Sequence, residues 1–268
     1  MSYKNALAGL PMGGGKAVIM ADPARIDREA LFTTHGRAVE RMGGTLVTAE
    51  DMGTTMADME VIARETTYVA GRENGGMGDP SPFTARGVVR AMEAASDFVW
   101  STPELAGRRV ALQGLGAVGT HLAQQLAAAG ADLIVSDPDA ERVETARREF
   151  GAAAVDPDTL FGVDADLLAP CAIGGVLHDR TIGRLKASVV AGAANNQLLE
   201  ERHGDALADR GVLYVPDYVA NAGGVLSGAV DILGWTRQQA EEKIEGIFDT
   251  VRDLLERAAR EGIPPHRA

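Results

Sequence analysis

Val110-Ala111-Leu112-Gln113-Gly114-Leu115-Gly116-Ala117-Val118-Gly119 is an apolar run that breaks into three glycines spaced G-x-G-x-x-G, with a helical stretch behind it. Glycine makes up 32 of the 268 residues, so the spacing alone is weak. Context raises it. The glycines fall between an expected strand, Arg109 to Gln113, and an expected helix, Thr120 to Ala129, as a dinucleotide-binding turn requires. Gly114 would make the tight turn, Gly116 would let a pyrophosphate approach the backbone around Ala117 and Val118, and Gly119 would let the helix close on the sheet. The helix N-terminus would then offer free N–H groups and a positive dipole end to the phosphates.

The second half of that fingerprint follows. Leu133 to Ser136 reads as the next strand, and it ends in Asp137, 23 positions after Gly114. A carboxylate there would accept hydrogen bonds from ribose hydroxyls and repel a 2′-phosphate, which favours NAD over NADP. A structural strand–turn–helix with an incidental aspartate is the plainer alternative.

Outward from this unit the chain keeps alternating. Phe83 to Trp100 reads as a helix, and further strands are expected at Asp166 to Ala169, Ser188 to Ala191 and Val212 to Val215. That rhythm predicts an α/β fold with a parallel sheet covered on both faces. Upstream, short β-rich runs at Ala17 to Met20 and Thr45 to Thr48 are separated by helical stretches at Arg28 to Arg41 and Ala57 to Thr66. Between the halves, Gly71 to Pro80 is rich in glycine and is the expected flexible connector. Gln238 to Glu261 carries Ile244, Ile247, Val251, Leu254 and Leu255 at helical spacing and predicts one amphipathic helix.

Composition removes several classes. Lys and Arg number 26 against 38 Asp and Glu, a net charge of −12. A field of that sign repels nucleic acid and anionic lipid, and no compact basic cluster overrides it. No apolar run reaches the length of a membrane span, and the first residues do not read as a secretory signal. The single cysteine, Cys171, excludes an internal disulfide and fits a reducing cytoplasm.

Gly13-Gly14-Gly15-Lys16 imitates a phosphate-binding loop but lacks its other requirements. Leu10 stands where the leading glycine belongs and Ala17 where a metal-binding hydroxyl belongs, so an NTPase is disfavoured. A poorly solvated lysine among glycines loses its proton more readily, which makes Lys16 a candidate general base. On spacing alone, an exposed lysine in a glycine-rich loop is the simpler reading.

Several stretches in order carry a resemblance. Tyr3-Lys4-Asn5-Ala6 through Lys16, Thr48-Ala49-Glu50-Asp51-Met52-Gly53-Thr54, Asp79-Pro80-Ser81-Pro82-Phe83-Thr84-Ala85, Gly192-Ala193-Ala194-Asn195-Asn196-Gln197 and Pro216-Asp217-Tyr218-Val219-Ala220-Asn221-Ala222-Gly223-Gly224 span nearly the whole chain. Together they resemble the signatures of the glutamate/leucine/phenylalanine/valine dehydrogenases, most closely the leucine, valine and phenylalanine members. The resemblance implies that Lys4 holds the substrate α-carboxylate, that Lys16 activates water, and that Asp51 exchanges protons with the amino nitrogen. It implies that Asn195 lies near the nicotinamide ribose and the substrate carboxylate. Ser81, Thr84, Ala169-Pro170-Cys171 and Ala193-Ala194 would contact the cofactor, with Cys171 as a packed neighbour and not a nucleophile. Val225 and Gly228 fall where the family sets side-chain preference, and Gly228 lacks the hydroxyl that the glutamate enzymes place there. Alternatives stay open: Lys4 as a frayed terminal lysine, Asp51 as a helix cap, Asn195-Asn196 as a turn.

The resemblance implies three segments: a substrate domain over 1–82, a Rossmann NAD-binding domain over 83–222, and C-terminal helices over 223–268 that pack back towards the first domain. The active cleft is expected between the first two. The implied reaction is reversible NAD-dependent oxidative deamination of an apolar L-amino acid, in a homo-oligomer. Family members carry additional residues before the Tyr-Lys-Asn motif and after the last helix, so the chain reads as a fragment. The rivals are a glutamate dehydrogenase, a truncated protein that binds NAD without turnover, and an unrelated Rossmann-fold binding or regulatory protein, for which the lysines and Asp51 would be coincidence.

Overall fold

The structure is a computed structural model, and it describes residues 1–22, 25–72 and 77–268. It divides into two compact units. One comprises Met1–Pro80 with Gly224–Lys243, and the other Ser81–Gly223 with Ile244–Ala268. Four residues of the expected connector, Glu73, Asn74, Gly75 and Gly76, lie outside the described residues.

The first unit opens with α1 (Ser2–Leu7), α2 (Arg28–Arg41), β1 (Thr48–Ala49), α3 (Met56–Ala63) and β2 (Val69–Ala70). Asp27 caps α2, its side chain accepting the Ala30 N–H at 3.1 Å. Thr55 and Asp58 form a reciprocal capping box at the start of α3. The two helices bury Phe32, Met59, Ile62 and Val69 as a small core. Gly36 permits their close approach, since a Cβ there would lie 3.0 Å from the Ile62 carbonyl oxygen. β1 and β2 pair in parallel, Thr48 opposite Val69 and Ala49 opposite Ala70.

The strand expected at Ala17 to Met20 does not form. Val18 is 82% exposed and Met20 97%, and the segment carries no regular element. A β-prone sequence becomes a strand only when a neighbour supplies hydrogen bonds and a face to bury, and β1 pairs with β2 instead.

The second unit runs α4 (Ser81–Trp100), β3 (Arg109–Gln113), α5 (Ala117–Ala128), β4 (Asp132–Ser136), α6 (Ala140–Phe150), β5 (Ala153–Ala154), α7 (Pro157–Leu160), β6 (Leu167–Pro170), α8 (Asp179–Ile182), β7 (Val189–Val190), α9 (Arg202–Asp209), β8 (Leu213–Tyr214) and α10 (Asp217–Ala220). Its sheet has six strands in the order β5-β4-β3-β6-β7-β8. All pairs are parallel. Val110, Leu112, Val135, Leu167, Ala169 and Val189 are fully buried, as expected of strands covered on both faces. The strand order reverses beside β3, whose neighbours are β4 and β6. In such sheets ligands bind outside the carboxyl ends of the strands at this point. The expected parallel α/β architecture is therefore observed, with β5 as a two-residue edge strand that the sequence did not signal.

The chain ends with α11 (Gly223–Leu233), α12 (Arg237–Glu245), α13 (Ile247–Glu261) and a one-turn 3-10 helix, Pro265–Arg267. One expectation changes here. The single helix over Gln238 to Glu261 is interrupted at Gly246, which becomes the N-cap of α13. Gly224–Lys243 groups with the first unit and Ile244–Ala268 with the second. The reason lies in α13, whose buried stripe of Ile247, Val251, Leu255 and Ala258 is taken up along α4. Gly87 of α4 admits that contact, because a Cβ there would lie 2.8 Å from the Ile247 Cδ1. Among the described residues no helix is long and apolar enough to cross a membrane.

Candidate active site

The glycine motif takes the form that its spacing implies. Gly114 adopts φ +92°, a conformation open to glycine, and a Cβ on it would lie 3.0 Å from the Cys171 carbonyl oxygen. A Cβ on Gly119 would lie only 2.0 Å from the Gly114 carbonyl oxygen. Gly116 differs: it is the N-cap of α5, no side chain caps it, and the space where its Cβ would stand is open. Two glycines are thus required by the protein's own packing, while the third leaves room for a ligand against the first turn of α5. Ala117 and Val118 form that first turn. Asp137 closes the corner, its Oδ2 accepting the Leu115 N–H at 2.6 Å and its Oδ1 the Asp139 N–H at 2.8 Å. The arrangement fits a dinucleotide pyrophosphate on the helix end and a ribose at the aspartate.

A second set of loops adjoins this turn. Ala169 and Pro170 close β6, and the Cys171 N–H donates to the Gln113 carbonyl oxygen at 2.7 Å. Burial pushes the Cys171 thiol up to about 12, against the weaker pull of the Ala193 N–H 3.5 Å from its sulfur. A thiol held neutral in this way is a poor nucleophile. Ala194 returns its N–H to the Pro170 carbonyl oxygen at 2.9 Å. Asn195 is exposed, and its Oδ1 accepts from the Asn221 Nδ2 at 2.9 Å. The Asn221 amide also donates to the Ala193 carbonyl oxygen at 2.9 Å. Gly223 presses on the first turn of α4, where a Cβ on it would lie 3.1 Å from the Thr84 Cα. Ser81 is buried at the start of that helix. A continuous run of contacts therefore joins Gly114, Cys171, Ala193, Asn195 and Thr84, with Asn221 and Gly223 as connectors.

The first unit holds the remaining candidates. Lys16 and Asp51 form an ion pair, each about half exposed. Burial lowers the pKa of the Lys16 ammonium, while the neighbouring carboxylate acts in the opposite direction. Asp51 opens a turn in which its N–H donates to the Thr54 Oγ1 at 2.8 Å and Gly53 takes φ +82°. It is not the cap of α3, since Thr55 performs that role. Arg28 braces the turn from α2, donating to the Gly53 carbonyl oxygen at 3.1 Å and pairing with the buried Asp58. Burial opposes ionisation of Asp58, but the hydrogen bonds from Arg28 and Thr55 prevail and lower its pKa.

Lys4 lies on α1 and is half-buried. The next residue, Asn5, is buried and donates from Nδ2 to the Gly13 carbonyl oxygen at 2.5 Å, joining α1 to the glycine-rich loop that leads to Lys16. Gly14 makes the closest approach, where a Cβ would lie 2.3 Å from the Ser2 nitrogen. Val225 and Gly228 are half-buried one turn apart on α11, and the space beyond Gly228 is open. Among the described residues no group of His, Cys, Asp or Glu is arranged to hold a metal.

Comparison with known proteins decides the family. Residues 1–68 match the model described as Glu/Leu/Phe/Val dehydrogenase, dimerisation domain, and residues 134–267 match the one described as Glutamate/Leucine/Phenylalanine/Valine dehydrogenase. The leucine dehydrogenase of Geobacillus stearothermophilus is 49% identical over 270 residues, covering 100% of this chain and 74% of the relative. The chain belongs to the glutamate/leucine/phenylalanine/valine dehydrogenase family. It is an oxidoreductase of the amino-acid dehydrogenase class, dependent on a dinucleotide. The valine dehydrogenase of Streptomyces albus is 48% identical over 273 residues, covering 100% of this dehydrogenase and 75% of the relative. Among solved structures, the L-tryptophan dehydrogenase of Nostoc punctiforme gives a TM-score of 0.84 at 39% identity, covering 99% of this chain and 77% of that one.

Sequence reasoning missed some structural partners of this dehydrogenase. Asn221 lay inside a quoted motif, but its role as the clamp on Asn195 and Ala193 has no local signal. The contacts of Tyr214 and Asp217 likewise have no local signal. The Tyr214 hydroxyl donates to Asp217 Oδ1 at 2.6 Å, and Asp217 Oδ2 accepts the Asn196 N–H at 2.9 Å. Asn196 itself takes φ +52°, so this buried pair holds the corner beside Asn195.

Proposed function

We propose that this dehydrogenase carries out reversible, NAD-dependent oxidative deamination of an apolar L-amino acid of the leucine or valine type. The products are the 2-oxo acid and ammonia. In this reading Lys4 clamps the α-carboxylate, Asp51 takes the proton from the α-ammonium, and Lys16 activates the water that attacks the iminium carbon. Asn195, held by Asn221, orients the substrate carboxylate and the nicotinamide ribose. Gly114, Gly116, Ala117, Val118, Gly119 and Asp137 would hold the dinucleotide, with Ser81, Thr84, Ala169, Pro170, Cys171, Ala193 and Ala194 around it. When bound, the nicotinamide supplies the hydride acceptor. The Asp137 carboxylate supports NAD over NADP, because it would repel a 2′-phosphate.

The observation that carries the reading is the Lys16–Asp51 pair. A base and an acid in direct contact, one on a glycine-rich loop that meets the helix of Lys4, supply both proton-transfer roles of the chemistry. An apolar substrate is supported by Gly228, which offers no polar group to a γ-carboxylate, and by half-buried Val225 on the same side of α11. A homo-oligomer is supported by the match of residues 1–68 to a dimerisation domain. NADH formation measured with leucine, valine, phenylalanine and glutamate tests the proposal. Turnover on leucine or valine with little on glutamate is expected. Turnover confined to glutamate, or NAD binding with no turnover at all, would overturn it.

A further inference from the structure

Asp231 lies on α11, one turn past Gly228 and two past Val225. Its Oδ2 accepts the Gly71 N–H at 2.8 Å, across 160 residues of sequence. Gly71 follows β2 directly and takes φ +78°. The parallel register, Thr48 to Val69 and Ala49 to Ala70, places Glu50 beside Gly71. A Cβ built on Gly71 would lie 3.8 Å from the Glu50 nitrogen and 3.9 Å from its Cβ. The residue after Glu50 is Asp51.

The corner that carries Asp51 needs support from outside. The hydrogen bonds of Asp51 with Met52 and Thr54 are internal to the turn: they shape it without fixing its position. Arg28 anchors the far side through Gly53. On the near side the β1–β2 pair is two residues long and cannot be rigid on its own. Among the described residues the Glu50 Oε2 is buried without a hydrogen-bond partner, so that oxygen adds no support. Burial, then the charges of Asp79 and Asp58, raises the pKa of that carboxyl. The bond from Asp231 fixes the end of this pair to the helix of Val225 and Gly228.

We propose that Asp231 is a positioning residue that couples the side-chain pocket to the proton-transfer group. Its carboxylate holds the end of β2, and through β1 it sets the placement of Asp51 relative to the pocket face of α11. A substrate side chain that shifts α11 therefore shifts Asp51, and discrimination among apolar amino acids appears in kcat as well as in KM. This inference rests on the roles proposed above for Asp51 and for α11.

The test uses Asp231→Ala, Asp231→Asn and Asp51→Asn in the full chain, with leucine and valine kinetics, the KM for NAD and a thermal melt for each. In Asp231→Ala, kcat for leucine is expected to fall about tenfold or more, the leucine-to-valine ratio of kcat/KM to change, and the KM for NAD to stay unchanged. Asp231→Asn, which can still accept the Gly71 N–H, should recover kcat to within about threefold of the wild type. Asp231→Ser, whose hydroxyl is on a shorter side chain, replaces the alanine variant if that does not fold. Wild-type kcat and selectivity in the alanine variant would overturn the coupling, as would equal loss in both variants or a lower Tm alone. An inactive Asp51→Asn beside an unimpaired Asp231→Ala would sink only the coupling. Full turnover in Asp51→Asn would sink the role of Asp51, and the coupling with it.

Discussion

The two glycine-rich turns of this protein are held in different ways. Around Gly114 and Gly119, glycine is demanded by the protein's own backbone, with strands β3, β4 and β6 buried on either side. Around Gly13, Gly14 and Gly15 there is no strand or helix, and the loop is exposed. It is held to α1 by the Asn5 side chain and by the close approach of Gly14 to Ser2, and to the Asp51 turn by one ion pair. The first arrangement is set by a buried sheet; the second is set by a few contacts around the groups proposed to be reactive. Substitutions in the sheet-borne turn should therefore register mainly in stability and cofactor affinity, and those of the exposed Lys16 and Asp51 side chains mainly in rate.

The largest expected effect lies in the exposed loop. Lys16→Ala should lower kcat by about 10²–10⁴-fold, the range typical of a lost acid–base group, with Tm and NAD affinity nearly unchanged. The pH dependence sharpens this. Burial lowers the Lys16 pKa, so the base form gains population below the ordinary lysine range, and the deamination rate should rise with pH through that shifted value. The rising limb should vanish in Lys16→Ala. A variant with wild-type turnover, or one that keeps the limb, would remove Lys16 from the mechanism.

Next in size is a contrast between two substitutions in the sheet-borne turn. In Gly119→Ala the new methyl would fall 2.0 Å from the Gly114 carbonyl oxygen, so the turn or the helix must move. Such overpacking costs about 1–3 kcal/mol, and Tm should drop accordingly. In Gly116→Ala the methyl enters open space, so Tm should hold, while NAD affinity should fall if that space is the proposed pyrophosphate site. Thermal melts and NAD titrations on both variants check the pair. If Gly116→Ala binds NAD like the wild type, the open space is not the phosphate site.

The same contrast explains what the sequence could disclose. The strand–glycine–helix unit was legible because each of its residues obeys a local steric rule, and the parallel sheet followed from the alternation around it. Even there the helix begins at Ala117, inside the motif, and not at Thr120, because Gly116 caps it. Ala17 to Met20 misled, since β-propensity is local whereas a strand needs a partner. The break at Gly246 went unseen because Ile244 and Ile247 keep helical spacing across it. Lys4, Lys16 and Asp51 were legible as a set only through resemblance. Nothing in their spacing announces that Lys16 meets Asp51, 35 positions away. Asn221 and Asp231 act through hydrogen bonds to backbone or amide groups remote in sequence, which no periodicity encodes.

The smallest expected effect tests whether the sheet-borne turn also selects the cofactor. Asp137 has one structural contact and one proposed role, and a pair of variants separates them. Its carboxylate accepts the Leu115 N–H at 2.6 Å, a bond to a charged acceptor worth about 1.5–3 kcal/mol, and in the function proposed above its charge would repel a 2′-phosphate. Asp137→Asn removes the charge but keeps an acceptor for Leu115, whereas Asp137→Ala removes both. If repulsion sets the preference, NAD-over-NADP discrimination should weaken in both variants, by about tenfold, and the alanine variant should lose more Tm than the asparagine variant, which keeps one of the two N–H acceptors. If only Asp137→Ala changes discrimination, the aspartate acts by holding the Leu115 corner, and the preference is a property of the turn's shape. Unchanged discrimination in both variants would mean that Asp137 does not meet the ribose, and that the carboxylate serves the fold alone.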